Sequence, residues 1–495
     1  MVNTREERSS KMSPKTALRT HGRRSNWPRA RALLQFSLLL PCALQLLGCA
    51  SPTPEKLRLE AYSWWTRPSE QKAFDRVLRI YNARHDDSEA INQVTKDVNA
   101  DEVRATLTAR LLAGAPPSTF QANAGADLLR WTAMDTTEAA LPSASRITPL
   151  VELFDRTGLT DALPHDLSQA LLAGPLRLPY AVPLNIHRLN LLYYNTSALE
   201  SYEAAHAGRS FLDPTLLCPK DVAARLEDPD QRLDLRIALG TEDGFAFTLF
   251  ALESVLPAVA GAAPYDEATG GTLYDELFLG NLPEAEWREP VLRALQCVQY
   301  LSRSFLREGE LSWAGALNRV ATGEADFSVM GDWANGELRE ALERGVVDVQ
   351  PFPGSEDTFV FTSDTFPLPV AAPYAAESED LLETLASAEA QLAFSQEKGS
   401  IPARSDISLD LVQATLGQRA GQTRRDFESP QIHKSIATSG LFPPYFPDDL
   451  STRLSTMTAQ GASPSSIESV IALLRNAQPL LERWQRRITE GQQEP

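Results

Sequence analysis

Two adjacent tryptophans, Trp64 and Trp65, are the residues of this sequence whose type and placement point most directly to ligand binding. They follow residues 57–62, a run that alternates apolar and polar residues as a strand does. An indole beyond a strand end is suited to stacking on a flat, partly apolar ligand such as a sugar ring. Because side chains alternate along a strand, we expect the two indoles to face different ways. We predict that Trp65 stacks on the ligand, while Trp64 packs into the domain or lines its edge.

Motifs of the common enzyme classes are absent from the sequence. It has no Gly-x-Ser-x-Gly elbow, no P-loop, no dinucleotide-binding glycine pattern and no His-Glu-x-x-His motif. No Cys or His spacing is typical of a metal site. The many Asp and Glu residues are compatible with a carboxylate pair for glycoside hydrolysis, but an acidic surface accounts for most of them. We therefore predict a binding protein that is not an enzyme and needs no metal or other cofactor.

The first 48 residues have the pattern of a secretory signal. Nine Lys or Arg precede an apolar stretch over residues 32–47, which is too short to span a membrane. Gly48-Cys49 follows and resembles the bacterial lipobox, in which the cysteine is diacylated and becomes the mature N-terminus. We predict removal of residues 1–48, lipidation of Cys49 and a polar tether over residues 49–56. An ordinary signal with a coincidental cysteine is the alternative.

Removal of the signal makes the protein more acidic. The full chain has a net charge of −18, and the mature part keeps 38 basic and 63 acidic side chains, a net charge of −25. Such a field disfavours nucleic acid and anionic lipid surfaces. We expect a periplasmic or cell-surface monomer, lipid-anchored to the inner or the outer membrane. Cys218 and Cys297 either pair or remain buried thiols, and Met12 is an alternative start to Met1.

The mature chain opens with alternating strand and helix patterns. After the first strand and a helical pattern, a second strand covers residues 90–95, and a third covers residues 118–121 after another helix. This β-α-β-α-β order predicts a parallel, doubly wound sheet. Ligands bind beyond the carboxyl ends of such strands. The tryptophan pair and the segment 121–125 both lie at such ends.

Further along the chain, strand patterns cover residues 325–330, 359–361 and 366–370, and helical patterns fill most of the rest. The last helix is predicted over residues 466–489, with a bend at Pro479. Three other tryptophans lie in patterns typical of a protein core: Trp131, Trp287 and Trp484.

Six sequence blocks, found in order between residues 57 and 405, resemble the extracellular solute-binding proteins (family 1) of ABC sugar importers. The resemblance is greatest to the branch that binds glucose and related monosaccharides. The blocks are Ser63-Trp-Trp, Pro117-Ser-Thr-Phe-Gln-Ala-Asn-Ala-Gly, Val182-Pro-Leu-Asn-Ile-His-Arg, Val329-Met-Gly-Asp-Trp-Ala, Phe361-Thr-Ser-Asp-Thr-Phe-Pro-Leu-Pro and Lys398-Gly-Ser-Ile-Pro-Ala-Arg. The tail of the chain resembles the family more weakly.

The resemblance implies an α/β fold of the two-lobed periplasmic-binding-protein type (type II), with doubly wound sheets joined by hinge strands. The sugar is then trapped between the lobes on closure. The first lobe would consist of residues 57–187 and 352–397. The second would consist of residues 188–351 and a helical part, residues 398–495.

The resemblance also implies which residues contact the sugar. The implied aromatic contacts are Trp64 or Trp65 from one lobe and Trp313 and Trp333 from the other, and the implied hydroxyl partners are Gln121, Asp364 and Lys398. Asn123 is a further candidate ligand residue. A carboxylate and an ammonium can share vicinal hydroxyls, so Asp364 and Lys398 make chemical sense together. Asn123 departs from the family, which usually has a histidine there, and this leaves the exact sugar open.

Each of these residues could instead have a purely structural role. The tryptophans could belong to the core, and Gln121 and Asp364 could cap turns. Lys398 could offset a helix dipole. We interpret His187 as a buried histidine with satisfied hydrogen bonds, and Glu70 as a favourable charge in the first turn of a helix.

The function implied by the resemblance is capture of a monosaccharide such as glucose and its delivery to the membrane subunits of an ABC permease. Two alternatives use the same features: a receptor that presents sugar to a sensory or surface partner, and a lipoprotein enzyme that acts on glycosides. Fold analogy by itself does not decide between them.

Overall fold

The structure is a computed structural model of the chain. It describes residues 59–85, 92–95, 100–132, 145–260, 272–279, 282–307, 309, 311–428, 431–463 and 465–490. The predicted signal peptide, Cys49 and the tether lie outside the described residues. The strands are β1 Glu60–Ser63, β2 Asn92–Thr95, β3 Thr119–Phe120, β4 Ala122–Asn123, β5 Ile147–Thr148, β6 Leu172–Ala173, β7 Leu178–Pro179, β8 Ala181–Pro183, β9 Asn185–Arg188, β10 Leu191–Asn195, β11 Ile237–Ala238, β12 Phe327–Met330, β13 Val347–Pro351, β14 Phe359–Thr362, β15 Asp364–Pro369, β16 Ile401–Pro402 and β17 Ile432–Lys434.

The helices are α1 Pro68–Arg84, α2 Ala100–Leu112, α3 Ala126–Leu129, α4 Val151–Thr157, α5 Leu159–Ala162, α6 His165–Gln169, α7 Thr196–Ala205, α8 Pro214–Leu217, α9 Val222–Glu227, α10 Phe245–Thr248, α11 Leu256–Ala260, α12 Leu273–Phe278, α13 Glu284–Ser302, α14 Trp313–Ala321, α15 Ala334–Glu337, α16 Arg339–Glu343, α17 Ala375–Ala386, α18 Ala388–Lys398, α19 Leu409–Leu416, α20 Gln418–Asp426, α21 Tyr445–Thr458, α22 Ser465–Leu474 and α23 Ala477–Glu490. A 3-10 turn covers Arg130–Thr132, and a π-helix over Leu249–Val255 connects α10 to α11.

The N-terminal strands form a parallel sheet, as the alternating pattern predicts. β1 lies between β2 and β3 and pairs in parallel with both. Helix α1 begins at Pro68, where the missing N–H of proline costs no hydrogen bond. Its apolar face, which includes Phe74 and Tyr81, is buried, and the helix packs against α17 and α18. The carboxyl ends of β1 and β3 therefore lie together, with Trp64 and Gln121 immediately beyond them.

Strands from distant parts of the chain meet beside this sheet. β15 pairs in antiparallel fashion with β4, β5 and β8. In a neighbouring four-stranded sheet, β9 and β14 lie between β16 and β17. The register places Asp364 opposite Asn123 and Thr362 opposite His187. This pairing brings together candidate ligand residues that are more than two hundred positions apart in sequence.

A second major sheet has the strand order β11-β12-β10-β13. β10 pairs in antiparallel fashion with β12 and β13, and β11 is parallel to β12. A disulfide between Cys218, at the end of α8, and Cys297 of α13 has a Cα–Cα distance of 5.2 Å. Of the two states that the sequence left open for these cysteines, the structure has the paired one.

The final helix predicted over residues 466–489 is two helices in the structure. α22 ends at Leu474 and α23 begins at Ala477, so the break lies before Pro479. The expected bend at the proline is therefore wrong: Pro479 occupies the first turn of α23, where a helix tolerates proline. The three tryptophans assigned to the core (Trp131, Trp287 and Trp484) are buried as predicted.

Within the described ranges, no helix is long and apolar enough to cross a membrane. The same part of the chain contains no group of three or more His, Cys, Asp or Glu residues able to hold a metal ion.

Candidate ligand-binding site

Asp364 is the centre of a buried hydrogen-bond network where the sheets meet. The residue is 5% exposed, and its Oδ1 accepts a hydrogen bond from Gln121 Nε2 at 2.6 Å. Its Oδ2 accepts from Asn185 Nδ2 at 2.9 Å and lies 3.2 Å from His187 Nε2. Asn185 also accepts the backbone N–H of Asp364 at 2.9 Å. These contacts hold the carboxylate in one orientation and satisfy it in a buried position.

His187 links Asp364 to a second buried carboxylate, Asp332. Its Nδ1 makes a hydrogen bond to Asp332, and its Nε2 contacts Asp364. Burial lowers the pKa of His187, but the charges and hydrogen bonds of Asp332 and Asp364 outweigh burial and raise the pKa above its ordinary value. The imidazole ring therefore lies between two carboxylates, one of which follows a strand while the other begins a different strand. The interpretation of His187 as a satisfied buried histidine is confirmed.

The two carboxylates differ in their electrostatic environment. Burial raises the pKa of Asp332, and His187 offsets this only in part. Burial also acts on Asp364, but His187 and then Lys398 more than compensate, so the pKa of Asp364 lies below its ordinary value. Asp364 is consequently ionised throughout the neutral range and available as a hydrogen-bond acceptor.

Lys398 is the last residue of α18, where Gly399 adopts a φ of 90° and ends the helix. Its ammonium forms a buried ion pair with Glu70 of α1. Glu70 also accepts the backbone N–H of Arg67 at 3.2 Å. Glu70 thus has the first-turn position expected from the sequence, and in addition it anchors a candidate ligand residue.

The two adjacent indoles have different surroundings. Trp65 is 1% exposed, and its ring lies 5.3 Å from Phe74, 5.7 Å from Phe366 and 5.0 Å from Phe394. Trp64 is half-buried, and the guanidinium of Arg104 lies 5.3 Å from its ring centre. The structure therefore reverses the expected arrangement of the pair: Trp65 packs into the core, and Trp64 is the indole with accessible surface.

Trp333 lies three residues beyond the end of β12 and directly before α15. Its half-buried ring meets His187 edge-on at 5.4 Å and Phe245 at 6.2 Å. A Cβ at position 331 would lie 2.2 Å from the Trp333 ring, so Gly331, two residues earlier, leaves the space that the ring occupies. Trp333 is thus in direct contact with the Asp332–His187–Asp364 chain.

Trp313 begins α14 and faces the start of α1. The guanidinium of Arg67 lies 5.6 Å from the Trp313 ring centre and donates to Ser312 Oγ at 3.3 Å. Nearby, the backbone N–H of Ser69 donates to Glu337 of α15 at 3.2 Å. The N-terminus of α1 is therefore held against α14 and α15, which flank the sheet that carries Trp333.

Asn123 contacts a loop far along the chain, residues 435–440. Its Nδ2 donates to the carbonyl oxygen of Thr438 at 3.0 Å. Gly125 has a φ of 98°, and a Cβ there would lie 2.0 Å from the carbonyl oxygen of Gly440. The turn that follows Asn123 and the loop 435–440 are therefore packed backbone to backbone.

Glu253 accepts hydrogen bonds from the loop 435–440. It lies in the π-helix, is fully buried, and accepts hydrogen bonds from the N–H groups of Ile436 at 2.5 Å and Ala437 at 2.8 Å. Ser435 Oγ donates to the same carboxyl group at 2.9 Å. Burial raises the pKa of Glu253 from 4.5 to about 7, although these hydrogen bonds act in the opposite direction. π-helical turns are frequent at functional sites, and the π-helix over Leu249–Val255 places a carboxyl group against the loop that contacts Asn123.

The structure brings all eight candidate ligand residues into one connected region. Reasoning from the sequence missed several other residues that hold this region together. Asn185 and Asp332 lie inside blocks that carry the family resemblance, so proximity to the blocks was an available signal. Glu253 stands alone in an apolar helix, and its partners are more than 180 positions away. No sequence pattern marks such a contact.

The arrangement of sheets and helices defines the fold class of this protein: a two-lobed α/β fold of the periplasmic-binding type. A family model described as bacterial extracellular solute-binding protein matches residues 76–416. The chain belongs to this family, whose members are solute receptors and not enzymes.

Individual relatives agree with this assignment. An uncharacterized ABC transporter extracellular-binding protein of Pyrococcus horikoshii is 25% identical over 436 residues, which cover 87% of this chain and 91% of the relative. A probable sugar-binding periplasmic protein of Rhizobium meliloti is 26% identical over 384 residues, covering 74% and 80%. Among solved structures, a bacterial solute receptor with an exclusive preference for β-D-galactopyranose superposes with a TM-score of 0.64 at 15% identity, covering 85% of this chain and 98% of the other.

Proposed function

We propose that this protein is the sugar-binding component of an ABC importer and that it captures a monosaccharide, with glucose as the first candidate. The arrangement around Asp364 supports this most directly. An ionised, preoriented carboxylate lies within a network that also holds Gln121 and is flanked by half-buried indoles at the ends of strands from two different sheets. Such a combination matches a ring with polar edges and apolar faces.

The proposed roles follow from the contacts. Asp364 and Gln121 bind hydroxyl groups, and Lys398 reaches them by exchanging Glu70 for the ligand. Trp64 stacks on one face of the sugar, and Trp333 and Trp313 approach from the other lobe. Asn123, tied to Thr438, lines the site from the side of the loop 435–440.

The lobe boundaries expected from the family resemblance are part of this proposal. Three connections between the lobes, near residues 187, 351 and 397, run close to β9, β14 and β16, which lie side by side in one sheet. Adjacent hinge strands suit a rigid-body closure of two lobes. We also propose that a lipid on Cys49 tethers the monomer near the permease that receives the sugar.

Titration calorimetry of the mature protein against a panel of sugars tests the function. We expect saturable heat and a raised Tm with at least one monosaccharide. The absence of both heat and thermal shift with every mono- and oligosaccharide of the panel would refute the proposal.

Replacing Trp333 with alanine is expected to weaken binding of that sugar by about 2 kcal/mol, because a desolvated aromatic contact is lost. Calorimetry gives the affinity, and circular dichroism checks the fold. The control is Trp333→Phe, which keeps an aromatic face and should recover most of the affinity. Equal affinity of Trp333→Ala and the wild type would remove this residue from the site.

A further inference from the structure

A cavity of about 500 Å³ lies between α23, the β6–β7 hairpin and β17. This volume is within the range of small-molecule sites in proteins. None of the eight candidate sugar contacts is among the described residues that line it. The cavity is therefore separate from the site proposed for the sugar.

One wall of the cavity is apolar. Leu481, Trp484 and Ile488 project from α23, and Leu129 and Leu172 complete this wall. Trp484 is 8% exposed, so its indole is held by packing while one part of it borders the cavity. Gly174 of the hairpin donates its N–H to the carbonyl oxygen of Ile488 at 2.7 Å, which fixes α23 against the hairpin. The apolar wall offers a flat surface to a ring.

The charged side chains of the lining are mostly cationic. The lining has three cationic side chains, Lys434, Arg177 and Arg486, and one carboxylate, Glu482, in a chain whose net charge is −18. The lining of the cavity therefore has the opposite charge to the protein as a whole. Arg177 has a φ of 51°, a left-handed conformation that is unusual for a residue other than glycine.

Lys434 is the least compensated of these cations. Among the residues that the structure describes, its ammonium has no hydrogen-bond or ion-pair partner. Burial lowers the pKa of Lys434, while Asp166 and Arg177 act on it with opposite signs. Lys434 is partly buried, so its unpaired ammonium loses part of its hydration, and an anion in the cavity would offset that cost.

We propose that this cavity is a second ligand site, which binds a small carboxylate with a flat, partly apolar body: an aromatic acid or a sugar acid. The carboxylate pairs with Lys434 and Arg177, and the body of the ligand lies on Trp484. Gly125 and Gly440 also line the cavity, so its occupant touches the turn and the loop that position Asn123.

Saturation-transfer NMR on the mature protein tests this proposal with two acids, benzoate and glucuronate, and their neutral amides, benzamide and glucuronamide. We expect at least one acid to bind more tightly than its amide, and its affinity to fall about tenfold in Lys434→Gln, as for the loss of one charge-assisted hydrogen bond. Benzoate alone indicates an aromatic acid, and glucuronate alone a sugar acid. Equal binding of acids and amides would overturn the proposal.

Variants at four positions distinguish acid binding in this cavity from acid binding elsewhere on the protein. Lys220→Gln removes an exposed lysine and should leave acid binding unchanged, as should Trp333→Ala in the proposed sugar site. Arg177→Gln alters an exposed side chain and should reproduce the loss even if Lys434→Gln impairs folding. Acid binding that survives both Lys434→Gln and Arg177→Gln, or that disappears in Trp333→Ala, would show that the acid binds elsewhere. Because glucose calorimetry is carried out on the unmodified mature protein, a failure of acid binding does not bear on the proposed sugar function.

Discussion

Replacing Trp65 with alanine is expected to lower the free energy of unfolding by about 3–5 kcal/mol, the usual cost of removing a large aromatic side chain from a packed core. The ring is enclosed by Phe74, Phe366 and Phe394 at centroid distances of 5.0–5.7 Å. These residues come from α1, β15 and α18, so the cavity left behind would affect three elements at once. Urea denaturation followed by circular dichroism measures the change.

Trp64→Ala is the matched control, because the two tryptophans are adjacent and differ in burial. We expect Trp64→Ala to lose only about 1 kcal/mol of stability. Its loss of sugar affinity should be larger than that of a conservative core variant such as Trp65→Phe. A stable Trp65→Ala variant that no longer binds sugar would restore the arrangement expected from the sequence, with Trp65 as the stacking residue.

Replacing Glu253 with alanine is expected to cost about 3 kcal/mol of stability, because two backbone N–H groups and the Ser435 hydroxyl lose a buried acceptor. The loop 435–440 should loosen, and sugar affinity should fall through the contact between Thr438 and Asn123. Urea denaturation and calorimetry give the two quantities separately.

Glu253→Gln is the informative comparison, because glutamine has the same shape and retains an acceptor oxygen but cannot ionise. The pKa of Glu253 in the folded protein, about 7, is above its ordinary value of 4.5. The folded state therefore binds the proton more tightly, and ionisation reduces stability as the pH rises from 4.5 to 7. The reduction amounts to about 3 kcal/mol and is complete above pH 7.

We therefore expect Glu253→Gln to be more stable relative to the wild type at pH 8 than at pH 5. Urea denaturation at the two pH values measures this difference. Glu253→Ala should show a loss of affinity that Glu253→Gln largely rescues. A pH-independent difference between Glu253→Gln and the wild type would contradict the assignment of a raised pKa to this carboxyl group. Failure of Glu253→Gln to rescue affinity would reject Glu253 as a positioning residue.

Much of the first sheet could be predicted from the sequence, because its strands and helices are encoded by the spacing of nearby residues. The parallel pairing of β1 with β2 and β3 follows from the β-α-β-α-β order. The candidate ligand residues could also be identified from the sequence, since each lies in or beside a block that resembles the family or shares its residue pattern. The structure places them in one connected region through the pairing of β4 with β15.

Other features could not be predicted because they depend on contacts between distant positions. The break between α22 and α23 occurs ahead of Pro479, although a proline pattern alone points to a bend at the proline. Cys218 and Cys297 are 79 positions apart, and only the packing of α8 near α13 brings them together. Glu253 looks from sequence like an isolated acid in an apolar helix, and its role depends on the loop 435–440.

By itself, the sequence determined the chemical inventory of this protein: its acidity, its tryptophan pair after a strand, its order of strands and helices, and the blocks that identify its family. These properties are local, so neighbouring residues suffice to express them. Only the tertiary structure decided that Trp65 is enclosed while Trp64 remains accessible, that His187 joins two carboxylates, and that a cationic cavity forms against α23. Burial and charge compensation are properties of residues gathered from remote parts of the chain, and they exist only once the chain has folded.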